Sequence, residues 1–199
     1  MNRNIFIPGN YESHPSPWLH HTFSNFLSDV EVNQLLQVYT NSISDIAGRS
    51  DLYLQKMHAS DLINFFCNRE ILNQLTDISI RPKHRRLCFA ARITKDDPEF
   101  KMPIHTDTEH KLATIIINLN SNQNGTELYD STRTFSHAVA VEIGSGLWWE
   151  NKPDTFHSVG LMHPTVLNRY NLIMNYWHLE PLTYLEVMKK CRKIYHTIN

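Results

Sequence analysis

The ten residues MPIHTDTEHK, 102–111, hold two histidines, an aspartate and a glutamate. In an extended chain residues i and i+2 share a face, so His105 and Asp107 can aim an imidazole and a carboxylate at one point. A chain with 12 histidines produces such a tripeptide by chance, and the weight comes from residues farther along the chain. His157 stands in NKPDTFHSVG, where Pro153 and Asp154 mark a turn and Thr155 opens a strand-like run. Two imidazole nitrogens and one carboxylate oxygen form a facial triad that leaves coordination positions open. That arrangement suits a non-haem Fe(II) that must take both a cosubstrate and O2. Beyond it Arg169 begins RYNLIMNYW, and its guanidinium offers two parallel donors to a carboxylate, which lysine cannot copy with equal geometry.

Other candidates carry less. His110 completes an HxDxxH run, but a fourth protein ligand would fill an oxygen position, so it reads either as a substrate-contacting residue at the pocket rim or as a solvated loop histidine. Lys111 is similar. Trp148 and Trp149 alternate faces, so one packs in the core and the other, Trp149, either walls the site or packs as well. Tyr129, Glu127 and Arg133 lie in or just beyond an NGTELY turn, 124–129, where loop residues commonly meet substrate. The remaining histidines, His14, His20 and His137 among them, have no partner pattern and read as structural or exposed.

These groups need a scaffold. SDVEVNQLLQVY opens with Ser28 three before Glu31, a capping-box pattern, and Val32, Leu35, Leu36 and Tyr39 recur at helical spacing. A second helix is expected from Ser60, with Leu62, Ile63, Phe65, Phe66, Leu72 and Leu75 on its apolar side. IFIP, 5–8, suits a short strand. From Arg86 onward LCFAARI, LATIIINLN, HAVAVEI, GLWWE, TFHSVG and RYNLIMNYW are rich in β-branched and aromatic residues, with Pro, Gly, Asn and Asp between them. Such strands predict a sandwich or barrel. LTYLEVMKKCRKIYHT, 182–197, closes the chain as an amphipathic helix. The expected class is α+β, mainly β, with a helical part over about 1–80, a β core over about 85–180 and the final helix.

At 199 residues the chain fits a single domain, 1–199. With 41% hydrophobic and 20% charged residues and a formal net charge of -1, it has the composition of a soluble protein and no sign of a nucleic-acid partner. RPKHRR, 81–86, is offset by KDDPE, 95–99, and reads as a solvated strand edge, with an anion site as the alternative. Cys67, Cys88 and Cys191 lack disulfide or zinc-knuckle spacing and read as reduced, buried thiols. No apolar run suits a signal peptide or a membrane span, so the expected location is cytoplasmic. The sequence carries no signal for oligomeric state.

His105-x-Asp107, His157 and Arg169, in that order and spacing, resemble the Fe(II)- and 2-oxoglutarate-dependent dioxygenases, and within them the prolyl-hydroxylase-like branch. ATIIINLN, 113–120, resembles the strand after HxD in that branch; NGTELY resembles its GGET-like turn, and FSNFLSDVEVNQLL its opening strand and helix. The resemblance covers roughly residues 22 to 178 and implies a double-stranded β-helix core of the jelly-roll, cupin-like type. It implies that His105, Asp107 and His157 are the iron ligands and that Arg169 holds the distal carboxylate of 2-oxoglutarate. Asn118 falls where many relatives place a tyrosine that reaches the same carboxylate, and its amide can donate a similar bond. Thr114, Ile116 and Asn118 share a strand face expected to line the cosubstrate pocket, and Asn171 shares the face of Arg169. A tyrosine that relatives carry before HxD is missing; ARITKDDPEF offers Arg92 and Thr94 instead, and Arg92 joins His110, Tyr129 and Trp149 as a candidate substrate contact.

The resemblance implies a hydroxylase that uses Fe(II), 2-oxoglutarate and O2, with ascorbate as an accessory reductant, and that releases succinate and CO2. The substrate is expected to be a small molecule or biosynthetic intermediate; a protein or peptide prolyl side chain is the alternative. Asp107 stands against the halogenating branch, which replaces the carboxylate ligand with a small residue. A non-catalytic metal-binding jelly roll is the reading from another class, and Arg169 weighs against it.

Overall fold

The computed structural model describes residues 10–43, 48–75, 86–121, 125–140, 142–160, 168–179 and 196–198. Along the chain run β1 (Tyr11–His14), β2 (His20–Phe23), α1 (Asp29–Ser42), β3 (Arg49–Tyr53), α2 (Lys56–Phe66), α3 (Arg69–Leu75), β4 (Arg86–Asp96), β5 (Met102–His105), β6 (Lys111–Asn118), β7 (Thr126–Tyr129), β8 (Phe135–Ala138), β9 (Gly146–Glu150), β10 (His157–Val159), β11 (Arg169–Leu179) and β12 (His196–Thr197). Two antiparallel sheets form a jelly roll. The larger has the order β1-β2-β9-β6-β11-β4-β12, with β3 also on β4, and the smaller has the order β5-β10-β7-β8.

Period-two alternation divides the large sheet into two faces. Phe89, Ile93, Ile115, Ile117, Leu172, Met174 and Tyr176 face the helices and join Val32, Leu35, Leu62, Ile63 and Phe66 in the main core. The Tyr176 hydroxyl donates to the Phe66 carbonyl at 2.7 Å, fastening the end of α2 to the sheet. The opposite face turns toward the small sheet, where Leu147 and Trp149 meet Trp18, Leu128 and Val139 in a second cluster. Gly146 lets β9 lie close on β6: a Cβ there would come within 2.0 Å of the Ile116 carbonyl oxygen. Among the described residues no helix is long and apolar enough to cross a membrane.

The capping box at Ser28 and Glu31 forms, and it starts α1 where the sequence places it. Val32, Leu35 and Tyr39 are buried on one face, and the Tyr39 hydroxyl meets the Ser50 hydroxyl. Other expectations need correction. The second helix starts earlier, at Lys56, and is two helices, because the Asn68 side chain accepts from the Glu70 amide at 2.8 Å and so caps a new start. The N-terminal part is not purely helical: YESH, HHTF and RSDLY are strands whose polar alternation gave no apolar signal. TELY is strand β7 rather than part of a turn, and β8 begins at Phe135, so HAVAVEI contributes only its first two residues. His196 and Thr197, expected in a helix, pair with Phe89 and Cys88 as β12, where β3 leaves the β4 edge open, and Ile198 beside them is buried. IFIP, residues 182–195 and residues 81–85 lie outside the described residues.

Candidate active site

His157 on β10 lies directly opposite His105 on β5, and the register places Leu128 of β7 on its other side. The two imidazole rings are 4.4 Å apart, centroid to centroid. Asp107 reaches the same point by a different route from the one its spacing suggests. β5 ends at His105, so Asp107 sits in the following loop and not on the strand face. Its carboxylate is held there by Lys111, four residues on, and by the Thr114 hydroxyl, which donates to Oδ2 at 2.8 Å. The potential ligand atoms of His105, Asp107 and His157 all lie within 4.8 Å of one another.

Each member is in a state that can ligate. Nδ1 of His105 donates to the Pro103 carbonyl and Nδ1 of His157 to the Thr155 carbonyl, each at 2.9 Å, so Nε2 is the ring nitrogen that each side chain can offer to a metal. Burial pushes the His157 imidazole down despite the neighbouring Asp107, which keeps it neutral. Burial alone would raise the Asp107 carboxyl, but Lys111, His157 and Thr114 together hold it below its usual value. Two imidazoles, each with Nε2 free of the carbonyl bond, and one carboxylate match the donor set that Fe(II) takes in a facial triad, so the residues fit this metal.

Behind the triad runs a polar relay that the sequence reading missed. Thr114 accepts from the Asn175 amide at 3.0 Å and from the Asn151 amide at 3.1 Å, which leaves its proton for Asp107. Asn175 in turn accepts from Arg92 at 3.4 Å. Asn175 was within reach of a period-two count from Arg169, and Lys111 of the i, i+4 spacing from Asp107. Thr114→Val, nearly isosteric, removes the hydroxyl that orients a ligating carboxylate. Its expected effect is a loss of Fe(II) affinity of about 10- to 100-fold, read by anaerobic metal titration.

Arg169 lies on the inner face of β11 and is 3% exposed. It is already paired: Nε and one terminal nitrogen donate to Oδ2 of Asp96, its register partner on β4, at 3.1 and 2.9 Å. The edge expected to grip a cosubstrate is therefore taken, and only its other terminal nitrogen, Nη1, makes no bond to Asp96. Thr114, Ile116 and Asn118 do share the inner face of β6, and Asn171 lies opposite Asn118. The Asn118 amide donates to the Ser145 carbonyl at 3.2 Å, while Oδ1 of Asn171 is buried with no hydrogen-bond partner among the described residues.

Trp149 is fully buried, its ring 4.9 Å from that of His157, and it walls the triad, whereas Trp148 turns to the other face and stacks on His21. Nε1 of Trp149 is a second buried polar atom without a partner among the described residues. Arg92 is held between Asn175 and Asp51, whose carboxylate lies 3.6 Å from its Nε. His110 is partly exposed beside Glu109. Tyr129 is not brought to the triad: it points away from its buried neighbour Leu128, and its hydroxyl meets Glu127 and Ser158.

No family model matches the chain, and no curated protein matches it. Solved structures do match in fold. Viral collagen prolyl hydroxylase from Paramecium Bursaria Chlorella virus-1, in a complex with 2OG, aligns with a TM-score of 0.59 at 15% identity over 86% of this chain and 97% of that one. A Pseudomonas putida prolyl-4-hydroxylase aligns at 0.59 and 12% identity, covering 80% and 92%. An oxidoreductase of the 2OG-Fe(II) oxygenase family from Burkholderia pseudomallei aligns at 0.57 and 11% identity, covering 86% and 85%. With the triad at the meeting point of β5 and β10, the chain carries the fold of the 2-oxoglutarate- and Fe(II)-dependent oxygenases, in the form shared by the prolyl hydroxylases.

Proposed function

We propose that the protein is an Fe(II)- and 2-oxoglutarate-dependent dioxygenase that hydroxylates a C–H bond of a small molecule or biosynthetic intermediate. The observation that carries this reading is the convergence of the ligand atoms of His105, Asp107 and His157 on this fold. When bound, iron and 2-oxoglutarate supply the oxidising chemistry, which consumes O2 and releases succinate and CO2. The chain's own part is to hold and to exclude. His105, Asp107 and His157 hold the metal; Lys111 and Thr114 fix the carboxylate; Trp149 keeps water from the His157 side. Arg169, through Nη1, with Asn118 and Asn171 beside it, is the group assigned to the distal carboxylate of 2-oxoglutarate.

A peptide or protein prolyl side chain is the second reading, favoured by the prolyl hydroxylases among the structural neighbours. One assay addresses both: the iron-loaded protein is offered metabolites and proline-rich peptides, succinate is measured, and products are searched by mass spectrometry for one added oxygen. Succinate coupled to an oxidised metabolite supports the first reading, and an oxidised peptide supports the second. Bound iron with no succinate above background from any substrate overturns both.

A further inference from the structure

A groove of about 380 Å³, separate from the triad, opens between the β1–β2 hairpin and β8, and its lining includes Glu12, His14, His20, His137 and Glu142. His14 and His20 face each other directly across the hairpin, with their rings stacked at 4.9 Å. The ring of His137, from the small sheet, lies 5.5 Å from that of His20. Glu12 Oε2 is 3.9 Å from His14 Nε2. Three imidazoles from two different sheets thus line one groove, with the Glu12 carboxylate beside His14, although their ligand atoms do not converge on one point as those of the triad do.

His20 is held in the same manner as the triad histidines. Its Nδ1 donates to the carbonyl two residues earlier, that of Trp18, at 3.0 Å, as His105 does to Pro103 and His157 to Thr155. Such a bond fixes the tautomer and turns the Nε2 lone pair outward, the usual support of a metal-bound imidazole. Burial, aided by His14 and His137, also holds the ring below the ordinary imidazole range, so it is unprotonated at neutral pH. His21 takes no part, because it turns to the other face and stacks on Trp148.

We propose that His14, His20 and His137, with Glu12, form a second metal site for a divalent ion of the zinc class, which ties the β1–β2 edge of the large sheet to β8 of the small one. An imidazole-rich set with one carboxylate suits Zn²⁺ in chemistry and coordination number. Closing the site requires His14 and His137 to turn their nitrogens toward Nε2 of His20. Both are partly exposed, and His14 gives up only its bond to the Thr22 hydroxyl.

The test is calorimetric titration of the metal-stripped full chain with Zn²⁺. The wild type is expected to bind two equivalents, His157→Ala one, His137→Gln one, and the double variant none. Zn²⁺ should also raise the melting temperature of His157→Ala and leave that of the double variant unchanged. One equivalent in the wild type, lost in His157→Ala and kept in His137→Gln, overturns the proposal, as does no binding at all. One equivalent lost only in His137→Gln supports the groove and counts against metal at the triad. His14→Gln repeats the test on the facing strand, and both substitutions fall at partly exposed positions.

Discussion

His157→Ala is expected to lose Fe(II) binding and 2-oxoglutarate turnover together, each by more than about 100-fold, the upper range seen when a partner only one bond further out is removed. The imidazole is the buried member of the triad, 6% exposed, and its register positions opposite His105 and Leu128 admit no neighbour that could replace it. The Asp107 and His105 that remain form a two-ligand site with water in the vacated place, which binds iron weakly and no longer fixes the cosubstrate's orientation. The substitution also opens space beside Trp149, so thermal unfolding must be measured in parallel. A folded variant without iron and without succinate is the expected result, and turnover near the wild-type rate would remove the triad from the chemistry.

The triad was legible in the sequence for a reason that was only half right. His105 and His157 are on strands, as their surroundings suggested, and the β-branched runs around residues 87–93, 113–118 and 170–177 are the central strands of the large sheet. Asp107 meets them through Lys111 and Thr114 rather than through strand alternation, because β5 stops at His105. Polar strands such as HHTF gave no periodic signal, since the burial of their histidines comes from His21 stacking on Trp148 and His20 meeting Trp18 edge-on. Asp96 was invisible for another reason. Its role depends on the pairing of β4 with β11, and no local pattern announces that Asp96 will lie opposite Arg169. A clamp read from one arginine thus omitted the counterion that the fold places on it.

That counterion allows the two roles of Arg169 to be separated. Arg169→Met breaks the buried pair and leaves Asp96, 1% exposed, with Arg49 at 3.6 Å beside its other oxygen, and removing one partner of such a pair costs about 3–5 kcal/mol of stability. Loss of activity in that variant alone would therefore say little about the cosubstrate. Replacing both partners, Asp96→Leu with Arg169→Met, removes the stranded charge together with its mate, and most of the stability should return, because apolar replacement of a buried pair is often neutral or better. If Arg169 also grips 2-oxoglutarate, the double variant still lacks a charge-assisted bond worth about 1.5–3 kcal/mol, and its KM for 2-oxoglutarate stays raised by about 10- to 100-fold. Denaturant unfolding and succinate kinetics on the same preparations read the two effects independently. Stability restored with KM still raised assigns Arg169 to the cosubstrate; stability and KM restored together would make the Arg169–Asp96 pair a strut between β11 and β4 and nothing more.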